Sequence, residues 1–229
     1  MKVIGLICAR GGSKGIKNKN ILKFKNTTLL GNSIIQAKKI PIIEKVYVST
    51  DSIKIAKKAR SYGAEVPFLR PGSLAKDNSP EILTIRHFIN FIKNKLKLEP
   101  DYIVSIPTTS PLRNIKDIKK CIFKAINFKL DFVFSVTEAR RNPYFNMVEI
   151  KKNNKIDIVC KPNKKIFNRQ QAPKCFDLTT VCYVFNTSFI LNNDNLFSGR
   201  TGFVEIPYPR AVDIDNFSDY KFVKYLGKF

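Results

Sequence analysis

The apolar positions of this chain fall into two alternating rhythms. Val3 to Ala9 is an unbroken apolar run that stops at Arg10-Gly11-Gly12. Such a run predicts a strand covered on both faces, followed by a loop. Leu29 to Ile40 then carries Leu30, Ile34, Ile35 and Ala37 at helical spacing. Short strands are predicted at Lys45–Ser49, Glu65–Leu69, Tyr102–Ile106, Phe132–Val136, Thr180–Asn186 and Gly202–Pro207. Helices are predicted at Ser52–Tyr62, where Asp51 or Ser52 can cap and Gly63 terminates, and at Pro80–Leu96, Ile115–Asn127 and Ser218–Leu226. Strand and helix alternate as far as Thr137, so the pattern predicts an α/β fold built on a largely parallel sheet. Residues from about 138 to 176 break the rhythm with Asn, Lys, Pro and Arg, and hold one short strand pair near Asn146–Val159. We read one domain over 1–229, with that stretch as a hairpin arm or dimerisation element.

Composition narrows the class. With 229 residues, 44% hydrophobic and 26% charged, the chain can bury a core without staples. That excludes wholesale disorder, collagen and a disulfide mini-protein. No apolar run approaches the roughly 18 residues of a membrane helix, so no membrane partner is expected. Five cysteines without CxxC spacing and a single histidine give no zinc ligand set, and reduced thiols point to the cytoplasm. The net charge of +23 opens a second class, a nucleic-acid binder. Lys supplies 31 of the 41 basic residues and is scattered among abundant Asn and Ile, which an A/T-rich coding bias also produces. No RNP pattern, zinc finger or helix-turn-helix accompanies the charge, so no nucleic acid is expected. In either case a basic surface gathers anionic substrates.

Six segments carry chemistry. ARGGSKGIKNKN, Ala9 to Asn20, follows the first strand. Its glycines permit positive φ, and their N–H groups can nest an anion while Arg10, Lys14, Lys17 and Lys19 add charge. It is neither GxxxxGK[ST] nor GxGxxG, which removes the P-loop and the nicotinamide-dependent oxidoreductase. A tight strand–helix turn with solvated lysines is the alternative. RPGSLAKD, Arg70 to Asp77, reads as a turn and helix start. PTTSPLR, Pro107 to Arg113, lies at a strand's C-terminal end, where α/β sheets bind ligands, and can equally start a helix. ARRNPYFN and RQQAPKC place Arg140, Arg141 and Arg169 beside the excursion, either to hold a carboxylate or phosphate or to line a dimer surface. In AVDIDNFSD, Asp213 and Asp215 alternate and share one face of an extended segment. Two carboxylates beside phosphates suit Mg²⁺, and an acidic helix start is the alternative. His87, the sole histidine, falls on a predicted helix and reads as a packed side chain.

Taken in this order, the segments resemble the acylneuraminate cytidylyltransferase family, synthetases of CMP-activated nonulosonic acids, nearly end to end. The resemblance implies a three-layer α/β/α Rossmann-like nucleotidyltransferase with a mostly parallel sheet, working as a homodimer whose small dimerisation arms complete each other's sites. It implies that CTP and a sugar acid react with Mg²⁺ to give a CMP-sugar and pyrophosphate. By motif position, Arg10, Gly11, Gly12, Ser13, Lys14, Lys19 and Asn20 are expected at the nucleotide, and Arg70, Asp77 and Ser79 at the cytidine. Thr109, Ser110, Arg141, Tyr144, Arg169, Gln170 and Tyr183 are expected at the sugar. Asp213 and Asp215 are expected at the metal, and act with Arg10 and Lys19 in catalysis. Sialic-acid members typically carry QPTSPLR and an Asn near Thr179, whereas Pro107 stands at the Gln position here. Both departures lie on the sugar side. ARRNPYFN and RQQAPKCFD are similar to the legionaminic-acid branch, so N,N'-diacetyllegionaminic acid is the first expectation, with neuraminate, pseudaminate or a Kdo-type acid as alternatives.

Overall fold

The computed structural model describes residues 1–162 and 164–227. Residue 163, inside the excursion, and residues 228 and 229, at the end of the domain read above, lie outside the described residues. Strand β1, Val3–Cys8, is buried almost throughout and lies one strand in from the edge of the sheet. The tiny strands β2, Lys23–Phe24, and β3, Thr27–Thr28, form an antiparallel hairpin leading into helix α1, Leu29–Lys38. Thr28 caps α1 by accepting the Gly31 N–H at 3.1 Å, meeting one of the orphan donors of a helix start. Strand β4, Ile43–Ser49, and helix α2, Ile53–Ser61, follow, with Ser52 as the α2 cap.

The strand predicted at Glu65–Leu69 is not one. Only Glu65 bridges β4, through Glu65 N–H to Val46 O and Val48 N–H to Glu65 O, both 2.9 Å. Pro67 follows without an N–H to continue the ladder. Helix α3 is Glu81–Leu96, strand β5 is Tyr102–Ser105 and helix α4 is Ile115–Asn127. A reciprocal Asn114–Asp117 capping box starts α4. Strand β6, Phe132–Glu138, leads into the excursion, where β7, Val148–Ile150, pairs antiparallel with β8, Ile156–Ile158. Then come β9, Phe176–Asn186, helix α5, Thr187–Asn192, β10, Thr201–Glu205, and helices α6, Tyr208–Ala211, and α7, Phe217–Leu226. Helices α5 and α6 were not expected from the sequence, since four to six residues show no clear period.

The six-stranded sheet has the order β10-β6-β9-β5-β1-β4. Only β9 runs antiparallel to its neighbours, so the sheet is mostly parallel, as expected. Alternation along β1 sends Val3 and Ile7 into a core with α1, α2 and α4, and Ile4 and Leu6 into a second core with α3 and α5. This is the three-layer sandwich. A third, small core joins Phe24 and Leu29 to Val212, Ile214, Tyr220 and Val223 near the chain's end. The parallel strands all point their C-terminal ends at one edge, and the glycine-rich loop, the PTTSPLR loop and the AVDID segment gather there.

Candidate active site

At that edge lies a cavity of about 540 Å³. Its walls include Arg10, Ser13, Lys14, Gly15, Lys19 and Asn20 from the loop after β1. Arg70, Asp77, Ser79 and Glu81 come from the segment leading into α3, and Thr109, Thr180, Tyr183, Asp213 and Asp215 close the far side.

Each wall is pinned by hydrogen bonds across long sequence separations. Buried Asn20 donates from Nδ2 to Arg10 O at 2.8 Å and accepts from Thr108 Oγ1 at 2.5 Å. It thereby fixes the basic loop to the β5 loop. Lys19 Nζ donates to Ile214 O at 2.8 Å and stands 3.9 Å from Asp215 Oδ1. Ile214 N–H donates to Thr109 O at 3.0 Å, which ties the acidic segment to the same loop. Gly15 is required by this closeness: a Cβ there would overlap the Asp215 carbonyl oxygen. The anion nest expected of the glycines does not form. None of Gly11, Gly12 and Gly15 has positive φ, and Gly11 N–H donates instead to Asp51 Oδ1 at 2.8 Å. The cations that the loop presents to the cavity are Arg10, Lys14 and Lys19.

The cavity floor is a polar cluster in a crowded setting. Arg70 is buried, donating from Nη2 to Ser49 O at 2.6 Å. Ser105 Oγ donates to Glu81 Oε1 at 3.3 Å. Glu81 shows surface to the cavity yet is ringed by protein atoms, and this desolvation raises its carboxyl above the usual range. Burial, then the Glu81 charge, pushes the Cys8 thiol up, and the same two causes raise the Tyr183 phenol. Both side chains stay protonated near neutrality.

Strand β9 reaches the cavity through an irregularity in its pairing with β6. Phe134 faces Tyr183, but Ser135 faces Thr179, so three residues bulge out between them. The Ser135 hydroxyl fills the bulge, accepting from Thr179 Oγ1 at 2.8 Å and from Cys182 N–H at 3.1 Å. Arg113, 2% exposed, braces it from behind, donating to Val181 O at 3.1 Å, Gln36 Oε1 at 3.0 Å and Ser33 Oγ at 2.5 Å. Burial pushes the Arg113 guanidinium down to about 10, so it keeps its charge. The bulge delivers Thr180 to the cavity wall, where its hydroxyl meets Ser110 Oγ at 2.6 Å and Thr109 Oγ1 at 3.1 Å.

Beside the floor opens a smaller, largely apolar pocket of about 230 Å³. Glu81 and Tyr183 line both spaces, and the smaller one is walled further by Ile82, Ile85, Leu196, Phe197 and three more apolar side chains.

The profile of the family described as Cytidylyltransferase matches residues 4–201. The chain belongs to this family. The cytidylyltransferase is 37% identical over 225 residues to the CMP-N,N'-diacetyllegionaminic acid synthase of Campylobacter jejuni, covering 98% of this chain and 94% of the relative. It is 36% identical over 227 residues to post-translational flagellin modification protein B of Campylobacter coli, covering 99% and 95%. The pseudaminic acid cytidylyltransferase of C. jejuni is 28% identical over 228 residues, covering 100% and 97%. Among solved structures, a CMP:2-keto-3-deoxy-manno-octonic acid synthetase complexed with CTP superposes with TM-score 0.72 at 14% identity, covering 99% and 98% of the two chains. The 4-diphosphocytidyl-2C-methyl-D-erythritol synthase of Anaerococcus prevotii gives 0.69 at 12%, covering 100% and 99%. At such identities these two show a shared nucleotidyltransferase fold.

Within this cytidylyltransferase, Arg10, Ser13, Lys14, Lys19, Asn20, Arg70, Asp77, Ser79, Thr109, Tyr183, Asp213 and Asp215 share the one cavity. Gly11 and Gly12 shape the loop without lining it, and Ser110 is buried behind Thr180. Arg141, Arg169 and Gln170 lie elsewhere. Arg141 and Arg169 line a separate cavity of about 880 Å³ with Arg140 and Tyr208, and Gln170 lines a neighbouring one. Tyr144 sits on the excursion, its N–H donating to Asn142 Oδ1 at 2.9 Å. Thr179 faces Ser135 and holds the bulge instead of lining the cavity. His87 is packed edge-on against Phe68 at 4.8 Å and lies outside the cavity, as the sequence reading held. Thr180, Glu81 and Cys8 were missed. Thr180 and Cys8 looked like strand positions, and only the step from Pro80 into a helix hinted that Glu81 faces the nucleotide loops.

Asp213 and Asp215 fit the Mg²⁺ the family implies. Partial desolvation and the Asp213 charge raise the Asp215 carboxyl, the signature of like charges that a cation would relieve. Among the described residues no group of three or more His, Cys, Asp or Glu could hold a metal. Two carboxylates with phosphate oxygens completing the shell are the donor set Mg²⁺ prefers.

Proposed function

We propose that this cytidylyltransferase transfers CMP from CTP to the anomeric hydroxyl of a nonulosonic acid, N,N'-diacetyllegionaminic acid first, releasing pyrophosphate. The carrying observation is the cavity itself: cations and paired carboxylates at one end, Arg70 at the floor, and an apolar pocket opening past Tyr183. Arg10, Lys14 and Lys19 hold the triphosphate and offset charge that spreads over the α-phosphate as the hydroxyl attacks. Asp213 and Asp215 would hold Mg²⁺, which when bound neutralises phosphate charge and acidifies the attacking hydroxyl. Arg70 and Ser79 face the cytidine, and the Thr109–Ser110–Thr180 hydroxyls and Tyr183 the sugar ring. The pocket walled by Ile82, Ile85, Leu196 and Phe197 suits an acyl methyl, and Glu81 at its rim suits an amide N–H. A sugar acid with acetamido groups meets both needs better than one bearing hydroxyls, and the relative named as a diacetyllegionaminic acid synthase supports it.

The protein works as a dimer in this reading. Arg141, Arg169 and Gln170 sit at the base of the arm, away from the cavity of their own chain. The arm exposes Ile150, Ile156 and Phe167, at 74%, 64% and 76%. A second copy laid on that apolar hairpin would cover it and bring the arginines toward a sugar carboxylate. The deciding experiment is pyrophosphate release with CTP and Mg²⁺ across legionaminic, neuraminic, pseudaminic and Kdo acids. Turnover led by diacetyllegionaminic acid upholds the reading. Turnover led by another acid moves the substrate and keeps the chemistry.

A further inference from the structure

The basic end of the cavity holds a contact that nucleotide binding does not account for. Asp77 Oδ1 stands 2.6 Å from Arg10 Nη1, and Asp77 Oδ2 stands 2.7 Å from Lys14 Nζ. One carboxylate thus spans two cations that belong to a different loop. Two anionic oxygens shared between an Arg and a Lys are what two phosphate oxygens would present there. A triphosphate seated on Arg10 and Lys14 would meet the Asp77 carboxylate at ion-pair range, and the two anions cannot share the cations.

We infer that Asp77 is a stand-in for phosphate: its carboxylate occupies the anion subsite of Arg10 and Lys14 while nucleotide is absent, yields it to the triphosphate, and competes with pyrophosphate for it as product leaves. The inference rests on the assignment of Arg10 and Lys14 to the triphosphate. It departs from the cytidine contact that motif position implies for Asp77. The exchange is cheap, because the Asp77 side chain is 39% exposed and swings into water, while Lys14 is 81% exposed. Lys14 first, then Arg10, holds the Asp77 carboxyl below the usual carboxylate range, so it moves as an anion and no proton changes hands. An acidic residue in this role weakens phosphate binding and hastens product release.

The test measures calorimetric binding of CTP and of inorganic pyrophosphate, each with Mg²⁺ and without sugar acid. The proteins are the wild type, Asp77→Asn, Asp77→Ala, Asp77→Glu and Lys14→Ala. Removing the carboxylate should tighten both ligands about two- to fivefold, the size of one relieved surface charge. Asp77→Glu should stay near the wild type. In steady state, Asp77→Asn should show stronger pyrophosphate inhibition and a lower kcat. Weaker or unchanged CTP binding by Asp77→Asn, with Lys14→Ala weaker than wild type, overturns the inference alone. Unchanged binding of both ligands by Lys14→Ala overturns the triphosphate assignment and the inference with it.

Discussion

Single side chains here do work that their chemistry states and their position permits. Asp215 is the exposed member of the carboxylate pair, 79% accessible, and among the described residues only Lys19 stands near it as a counter-charge. Asp215→Asn should therefore leave the fold intact and lower turnover by about 100-fold, the loss typical of one preorganised charge-stabilising group. Turnover that follows the wild-type dependence on Mg²⁺ concentration would contradict the metal role. Cys8 gives a pH signature. Its thiol is pushed up by burial and by Glu81, so the folded protein binds that proton more tightly than the unfolded chain. The stabilising contribution is whole below the ordinary thiol range, about 8.5, and declines as pH climbs past it. The wild-type Tm should fall between pH 8.5 and pH 10, and Cys8→Ala should fall less over the same scan.

Elements place these side chains, and two devices matter most. One is the bulge in β9, held by Ser135 and Arg113, which sets Thr180 and Tyr183 in the cavity. The other is Arg86 on α3. Its guanidinium donates to Ile190 O at 2.6 Å, Asn193 O at 2.8 Å and Asp194 Oδ1 at 2.7 Å, holding the end of α5 and the following turn. That turn carries Leu196 and Phe197, two walls of the apolar pocket. Arg86→Met should raise the KM for the sugar acid about tenfold, as a loosened apolar pocket does, with the KM for CTP unchanged. Equal loss for both substrates would mean that α3 itself had shifted. Most long elements were legible, because runs such as Val3–Cys8 and Ile115–Asn127 carry strong periods and clear caps. The loops of the nucleotide side were legible through their motifs. What stayed hidden was tertiary. No local pattern announces that Ser135 opens a bulge 44 residues away, that Asp77 pairs with Arg10, or that Pro67 cuts a strand to one bridge.

For the whole molecule, the arm is the part that the proposed dimer would cover. It keeps its own structure through the β7–β8 pair and the Lys151–Asp157 contact at 3.2 Å, yet its apolar side chains face outward. Under the proposed dimer, Ile150→Glu combined with Ile156→Glu should convert it to a monomer in sedimentation and reduce turnover, while CTP binding persists. A variant that remains dimeric would place the interface elsewhere. The proposed dimer is what would bring together the expected sugar residues, which one chain divides between two regions.

One stitch described above reaches further. Lys19 and Ile214, 195 residues apart, are bound to each other, and Gly15 lies directly against the Asp215 backbone. One wall of the candidate site is thus a clasp between two segments far apart in sequence, seated beside the small satellite core of Phe24, Ile214 and Tyr220. A clasp of this kind opens before the garment tears. In mild urea, catalysis should vanish while the sheet still gives its full circular dichroism, since small peripheral units open at lower free energy than a central sheet.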